Sequence, residues 1–315
     1  MNRVVVFGLG RFGGGAAAAR WFAGRGERVV VTDLAGETKL AATLAGLADL
    51  DLEFRLGRHE PSDFERADLV VVNPAIPFDS PLVELARSRG ARIVTEFGLT
   101  VELLGGPVAA VTGTNGKSTT VSLATAMLAE SGVPVALGGN IGRPLLNEAA
   151  GLGPETVVVL EVSSFQLAWL EHDRFAPRAA AITNVTGDHL DRHPDFAHYA
   201  AAKGRLARAV PPDGLLALPT DDAVCRGYAG EARSRVVWFG PGEPEPVDLS
   251  GLRLLGPHNH ANAVAAAHLA LELGADPDAC ARAAAAFRPL AHRMEPLGER
   301  DGVLVVDDSV CTSPE

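Results

Sequence analysis

A chain of 315 residues with 47% hydrophobic content is long enough for two compact domains and part of a third. Its formal net charge of −11 argues against a general nucleic-acid-binding surface while leaving room for a local phosphate pocket. Cys225, Cys280 and Cys311 are odd in number and lack C-x-x-C spacing, which excludes a disulfide framework and a thiolate metal site and implies a reducing compartment. No charged leader precedes an apolar core, and no apolar run is long enough to span a bilayer. The expected setting is therefore the cytoplasm, with no membrane and no nucleic acid as partner.

The first segment opens with a strand, Arg3–Phe7, a turn Gly8-Leu-Gly10-Arg-Phe-Gly13, and an alanine-rich helix to about Phe22. A second strand, Arg28–Thr32, ends on Asp33. This is dinucleotide-fold spacing: a tight turn, close backbone approach, then an acid about twenty residues on for a ribose hydroxyl. Taken alone it reads as NAD binding, or as a Rossmann-like domain whose glycine turn holds another phosphate or sugar. Strands at Leu69–Val72 and Arg92–Val94 continue the parallel α/β pattern, and the Asn73-Pro74-Ala-Ile-Pro77 turn lies just beyond a strand's carboxyl end. The segment closes near Leu104, with Gly105-Gly106-Pro107 as linker.

A second α/β unit follows. Strands are expected at Val108–Val111, Val133–Leu137, Thr156–Leu160, Ala179–Ile182, Gly214–Leu218 and Val236–Phe239. Helices are expected at Lys117–Glu130, Phe196–Val210, Asn259–Leu273 and Asp276–Phe287, and Pro241–Glu245 reads as a loop. The run Val108-Ala-Ala-Val111-Thr-Gly-Thr-Asn-Gly116-Lys117-Ser118-Thr119 takes a β-branched strand through a glycine turn into a helix headed by a lysine and hydroxyls. Turn N–H groups and a helix N-terminus converge there on an anion; Lys117 would neutralise β/γ phosphates and Ser118 would hold Mg²⁺. The general P-loop pattern has glycine where this chain has Val111. We read a nucleoside triphosphate site.

Three further stretches carry chemistry. In Thr156–Leu160-Glu161-Val-Ser-Ser164-Phe-Gln166, a buried strand delivers a carboxylate where a metal beside phosphates needs oxygen, although Glu161 could instead cap the next helix. In Asn184-Val-Thr-Gly-Asp188-His189-Leu-Asp191-Arg192-His193, a strand ends in acids and imidazoles, so His189 suits a metal or phosphate. Lys203, in Tyr199-Ala-Ala-Ala-Lys203, reads from its surroundings as a solvated helix position.

These stretches, with Gly138-Gly-Asn140-Ile-Gly142, Gly256-Pro-His-Asn259-His-Ala-Asn262 and His292-Arg293-Met-Glu295, occur in the order found in Mur ligases, which the chain resembles along essentially its whole length. The glycine turn, the Gly-Thr-Asn-Gly-Lys-Ser-Thr loop and Ser-Ser-Phe-Gln together look like the D-glutamate-adding branch. The resemblance implies a Rossmann-like N-terminal domain over 1–104, a P-loop-type α/β central ATPase domain over 105–300, and in 301–315 the first strand and turn of a third domain that is only begun. It overturns the NAD reading. UDP-N-acetylmuramoyl-L-alanine would lie on Gly10, Arg11, Phe12, Gly13, Asp33, Asn73, Asn140 and Ser163. ATP would lie on Gly113, Thr114, Asn115, Gly116, Lys117, Ser118 and Thr119, with Asn259, Asn262, Arg293 and Asp308 reaching adenine, ribose or phosphate. Two Mg²⁺ ions are implied, one on Ser118 and Glu161, the other on His189 and a carbamate formed at Lys203. Lys117, His189 and Lys203 would carry catalysis of ATP-driven amide formation with D-glutamate, in a monomer.

The resemblance departs at the C-terminus, where Val310 and then Cys311 stand where the family carries lysine two residues after the turn's aspartate, and the sequence stops at Glu315. The expectation is that the chain as given does not complete the ligation, with UDP-substrate and ATP recognition largely intact, and that the Gly302–Val306 strand lacks sheet partners. The competing readings are another Mur-type ligase, a UDP-sugar-binding remnant, and an NAD(P)-dependent oxidoreductase built on Gly8–Gly13; the last leaves Lys117, Glu161 and Lys203 unexplained.

Overall fold

Apolar runs alternate with helices along the chain, and each run becomes a strand covered on both faces. The computed structural model describes residues 2–10, 13–170, 175–187 and 193–310. The first part runs β1 (Arg3–Phe7), α1 (Gly14–Ala23), β2 (Arg28–Asp33), α2 (Glu37–Ala45) and β3 (Glu53–Leu56). It continues with α3 (Pro61–Glu65), β4 (Leu69–Val72), α4 (Pro81–Ser88), β5 (Arg92–Val94) and α5 (Glu96–Leu103). The strands form a parallel sheet in the order β3-β2-β1-β4-β5. Val4 and Val6 of β1 pack into one core layer, and Val5 and Phe7 into the other. The strand order reverses between β1 and β4, so the Gly8–Gly10 turn and the Asn73-Pro74 turn meet at the switch point.

Close packing of α1 on that turn depends on a glycine outside the Gly8, Gly10, Gly13 pattern. A Cβ on Gly15 would lie 2.5 Å from the Gly8 carbonyl oxygen and 2.6 Å from Leu9 Cα.

The second part runs β6 (Val108–Thr112), α6 (Lys117–Glu130), β7 (Val135–Gly139), α7 (Leu146–Ala149), β8 (Val157–Glu161) and α8 (Ser164–Trp169). Next come β9 (Ala179–Ile182), α9 (Phe196–Ala209), β10 (Leu215–Pro219), α10 (Ala223–Ala229) and β11 (Arg235–Phe239). The part closes with α11 (Pro257–Glu272) and α12 (Pro277–Ala286), both packed against α6. Its parallel sheet is ordered β11-β10-β9-β6-β8-β7, with β6 flanked by β8 and β9. Alternate residues of these strands, such as Val159 and Leu160, feed cores on opposite faces. The two parts interlock through α5, whose Phe97 and Val101 enter the second sheet's core while Leu99 enters the first. Leu146 and Trp169 return the exchange by packing into the first sheet's core layers. Among the described residues, no helix is long and apolar enough to cross a membrane.

The last strand does not lack a partner, as the sequence suggested. β12 (Glu295–Arg300) pairs antiparallel with β13 (Val303–Asp307), and Leu297, Val303, Leu304 and Val305 are exposed on this hairpin. Pro296 and Gly298 weaken the strand signal of β12, which is why it escaped the pattern. An imidazole–carboxylate pair closes the hairpin base: His292 Nδ1 lies 2.7 Å from Asp307 Oδ2, and the His292 backbone N–H donates to Glu295. The hydrogen bond with Asp307 raises the His292 pKa above 6.5, and the same bond lowers Asp307 from 3.8 to about 2. The pair's contribution is therefore full below pH 6.5 and fades as pH rises through the elevated His292 value; at the acid end it persists above 3.8 and is lost as pH falls through about 2. Protection of the hairpin amides, relative to their intrinsic exchange rates at each pH, should be greatest between these limits, with an NMR titration placing His292 above 6.5. A His292 midpoint at or below 6.5 would contradict the pairing.

Candidate active site

The site is built where β6, β8 and β9 end side by side. Register places Val111 level with Glu161, Glu161 level with Gly139, and Thr112 level with Ile182. The three following turns therefore converge. The loop after β6 is stapled from the β9 side: Thr114 N–H donates to the Asn184 carbonyl, and Asn115 N–H to the Asn184 side-chain oxygen, each at 2.9 Å. Thr183 Oγ1 donates to the Asn115 carbonyl, and Thr114 Oγ1 lies 2.9 Å from the Tyr199 hydroxyl of α9. Gly116 caps α6 with φ of 82°, and a Cβ there would fall 2.3 Å from Asn262 Oδ1. Asn262 in turn donates to Asn259, and both are buried at the start of α11.

Two ammonium groups meet beneath this loop. Lys117 Nζ donates to the carbonyls of Gly113 (3.0 Å) and Thr114 (2.7 Å), and Lys203 Nζ donates to the same Gly113 oxygen. Lys203 is 2% exposed, so the solvated role suggested by its alanine neighbours is wrong. Its ammonium also lies 4.6 Å from the centre of the Tyr199 ring.

Glu161 ends β8 fully inside the protein. Ser118 Oγ, in the first turn of α6, donates to Glu161 Oε2 at 2.6 Å, and Asn140 Nδ2 donates to Oε1 at 2.9 Å. Hydroxyl and carboxylate oxygens in contact form the hard donor set that Mg²⁺ prefers, so these residues fit the ion. Asn140 also lines a cavity of about 510 Å³ between the two sheets, together with Gly10, Asn73, Pro74, Ser163 and Phe165. Ser163 is held by a capping box: its Oγ accepts from Gln166 N–H, and the Gln166 side chain accepts from Ser163 N–H.

Two family models match the chain: "Mur ligase middle domain" over residues 111–270, and "Mur ligase MurD-like, N-terminal domain" over residues 2–95. The UDP-N-acetylmuramoylalanine–D-glutamate ligase of Geotalea daltonii is 37% identical over 333 residues, spanning 99% of this chain and 72% of that protein. That of Anaeromyxobacter dehalogenans is 39% identical over 341 residues, spanning 99% and 72%. The chain belongs to the Mur ligase family. Solved Mur ligases share the fold: the MurC of Thermotoga maritima superposes with a TM-score of 0.59 at 22% identity, covering 98% of this chain and 74% of that one. The Neisseria MPL ligase superposes at 0.62 and 20% identity, covering 92% and 99%.

The structure gathers most of the residues singled out from sequence. Gly113 to Thr119, Asn259, Asn262, Glu161 and Lys203 surround the loop, while Gly10, Asn73, Asn140 and Ser163 line the cavity. Gly13 caps α1, and Asp33 accepts from the N–H groups of Leu9 and Ala35, so its carboxylate shapes the glycine turn. Arg293 and Asp308 sit at the hairpin base, where Asp308 accepts from Met294 N–H. Among the described residues, neither hydrogen-bonds the loop after β6. Arg11, Phe12 and His189 lie outside the described residues.

Sequence reasoning missed Glu96. It lines the cavity, and burial raises its carboxyl pKa against the opposing hydrogen bonds of Thr100 and the Leu146 backbone. Its only sequence signal was an acid just after a strand, the position of an ordinary first-turn helix residue.

The loop geometry sets an expectation. Gly116→Ala puts a side chain into left-handed backbone and against Asn262, costing about 1–3 kcal/mol of stability with matching loss of nucleotide affinity. Denaturation and nucleotide titration of the variant check this; wild-type values for both would contradict the loop geometry.

Proposed function

We propose that the chain acts in peptidoglycan precursor synthesis as the ligase that joins D-glutamate to UDP-N-acetylmuramoyl-L-alanine, driven by ATP. The relatives' names support the substrates. The carrying observation is Glu161, whose two oxygens touch Ser118 of the phosphate loop and Asn140 of the inter-sheet cavity. A triphosphate on the loop and a carboxylate entering from the cavity would meet at that residue. Residues 1–104 would supply the UDP-substrate face and 105–300 the ATP face.

In this reading ATP lies over Gly113 to Thr119, with Lys117 against its β/γ oxygens and Asn259 and Asn262 bracing the loop from behind. The UDP-linked substrate lies in the cavity against Gly10, Asn73, Asn140 and Ser163. An oxygen of the alanyl carboxylate bonds to the γ-phosphorus as the bond to ADP breaks, giving an acyl phosphate. The D-glutamate amine then attacks the acyl carbon through a tetrahedral intermediate, phosphate leaves with the carboxylate oxygen, and the amine loses a proton. The protein's share is positioning and charge neutralisation. Mg²⁺, when bound, supplies further neutralisation of phosphate charge; Ser118 and Glu161 would hold one ion, and Lys203, as a carbamate, with His189 the other.

The carbamate has a physical rationale. Lys117 and Lys203 place two ammonium groups on one carbonyl oxygen. Addition of CO₂ to the neutral Lys203 amine, with loss of a proton, replaces a like charge by an anionic oxygen ligand.

Lys117→Ala should weaken ATP binding by about tenfold or more, since a charge-assisted phosphate contact contributes roughly 1.5–3 kcal/mol. Calorimetry on the folded variant reads this, and wild-type affinity would remove the loop's assignment. Lys203→Ala should abolish turnover, with formate or acetate restoring part of it by supplying carboxylate oxygens. Full activity in the unsupplemented variant would remove the carbamate.

A further inference from the structure

Three candidates stand outside the reaction centre: the exposed face of the hairpin, the His292–Glu295–Asp307 cluster at its base, and an aromatic–imidazole cluster beside the cavity. Only the last joins elements from both sheets, and it uses histidines that the reaction does not.

His193 is 1% exposed and uses both ring nitrogens. Its Nε2 lies 2.9 Å from Ser164 Oγ, and its Nδ1 lies 2.8 Å from His198 Nδ1. Two imidazole nitrogens at that distance require one N–H donor and one lone-pair acceptor. Either His193 tautomer satisfies both contacts, because the serine hydroxyl donates or accepts as needed. The ring plane is thereby set, and Phe165 stacks on it with centroids 4.9 Å apart and planes 12° off parallel. Phe165 is a cavity wall residue.

From the opposite side comes Phe78, five residues beyond Asn73 in the turn region after β4. Its ring lies 5.1 Å from Trp169, 5.5 Å from His198 and 6.3 Å from His193. Trp169 itself packs into the first sheet's core. One wall of the cavity, Asn73 to Ala75, is thus tied through Phe78 to the elements that carry the other wall, Ser163 to Gln166.

We propose that Phe78, Trp169 and the His193–His198 pair form a clasp that keeps the two cavity walls in register, with His193 acting through Phe165 as a positioning residue for the UDP-linked substrate. The substrate part rests on the function proposed above; the clasp itself does not. It accounts for a buried imidazole, His193, that uses both ring nitrogens and is paired with the half-buried His198.

Amide exchange of the full chain tests the clasp without any ligand. Phe78→Ala should speed exchange about tenfold or more in both 73–80 and 164–169, although the change lies in only one of them, and Phe78→Tyr should restore slow exchange in both. Acceleration confined to 73–80, or none, overturns the clasp. If the alanine variant does not fold, Phe78→Leu keeps the apolar volume and gives the same readout. For the substrate, calorimetry should show UDP-N-acetylmuramoyl-L-alanine binding about tenfold weaker in Phe78→Ala and in His193→Phe, with ATP affinity within about twofold of wild type. Unchanged affinity for the UDP-linked substrate, or equal loss for both ligands, overturns the positioning role. A wild-type chain that binds no UDP-linked ligand while the exchange arm behaves as expected refutes the proposed substrate and leaves the clasp standing.

Discussion

A carboxylate buried at the end of a strand is costly unless its oxygens are bonded, and Glu161 meets that requirement by reaching in two directions at once. One oxygen accepts from Ser118, in the first turn of α6 after the β6 loop; the other accepts from Asn140, which the inter-sheet cavity presents. The positions of both partners follow from strand register, since β6 and β7 flank β8 and bring Val111 and Gly139 level with Glu161. Moving either neighbour by one residue would turn its side chains to the other face and leave the carboxylate unpaired. The loop, the cavity wall and the sheet order are therefore consequences of one another.

The same economy holds for the loop. The β9 turn, read from sequence as a source of metal or phosphate ligands, spends its described residues holding the loop: Thr183 and Asn184 bond its backbone at Thr114 and Asn115. A loop already bonded in its working shape loses little conformational freedom when an anion arrives, which favours binding. Lys117 and Lys203 are drawn to the inside of that turn by the Gly113 carbonyl, which concentrates positive charge where triphosphate charge is expected.

Much of this was legible in the chain. The doubly buried strands β1, β4, β6, β8, β9 and β10 announce themselves as short apolar runs, and β1, β4, β6 and β8 run into Gly8, Asn73, Gly113 and Glu161, which mark the ligand edge. What escaped depends on partners distant in sequence. β3 shows only the half-buried alternation of Phe54 and Leu56 with Glu53 and Arg55 at a sheet edge, and β12 contains proline and glycine. Lys203 looked solvated because its neighbours are alanines; only the packing of α9 under the loop buries it. Glu96 matters through its contact with Leu146, and the Phe78 cluster joins residues about a hundred apart, so no local pattern could reveal them.

The central claim is that the substrate carboxylate from the cavity and the γ-phosphate on the loop meet at Glu161. Its most direct test is oxygen transfer during ATP turnover with D-glutamate and substrate labelled with ¹⁸O in the alanyl carboxylate. The account predicts one labelled oxygen in each phosphate released. Phosphate whose oxygens come only from ATP and water would contradict it.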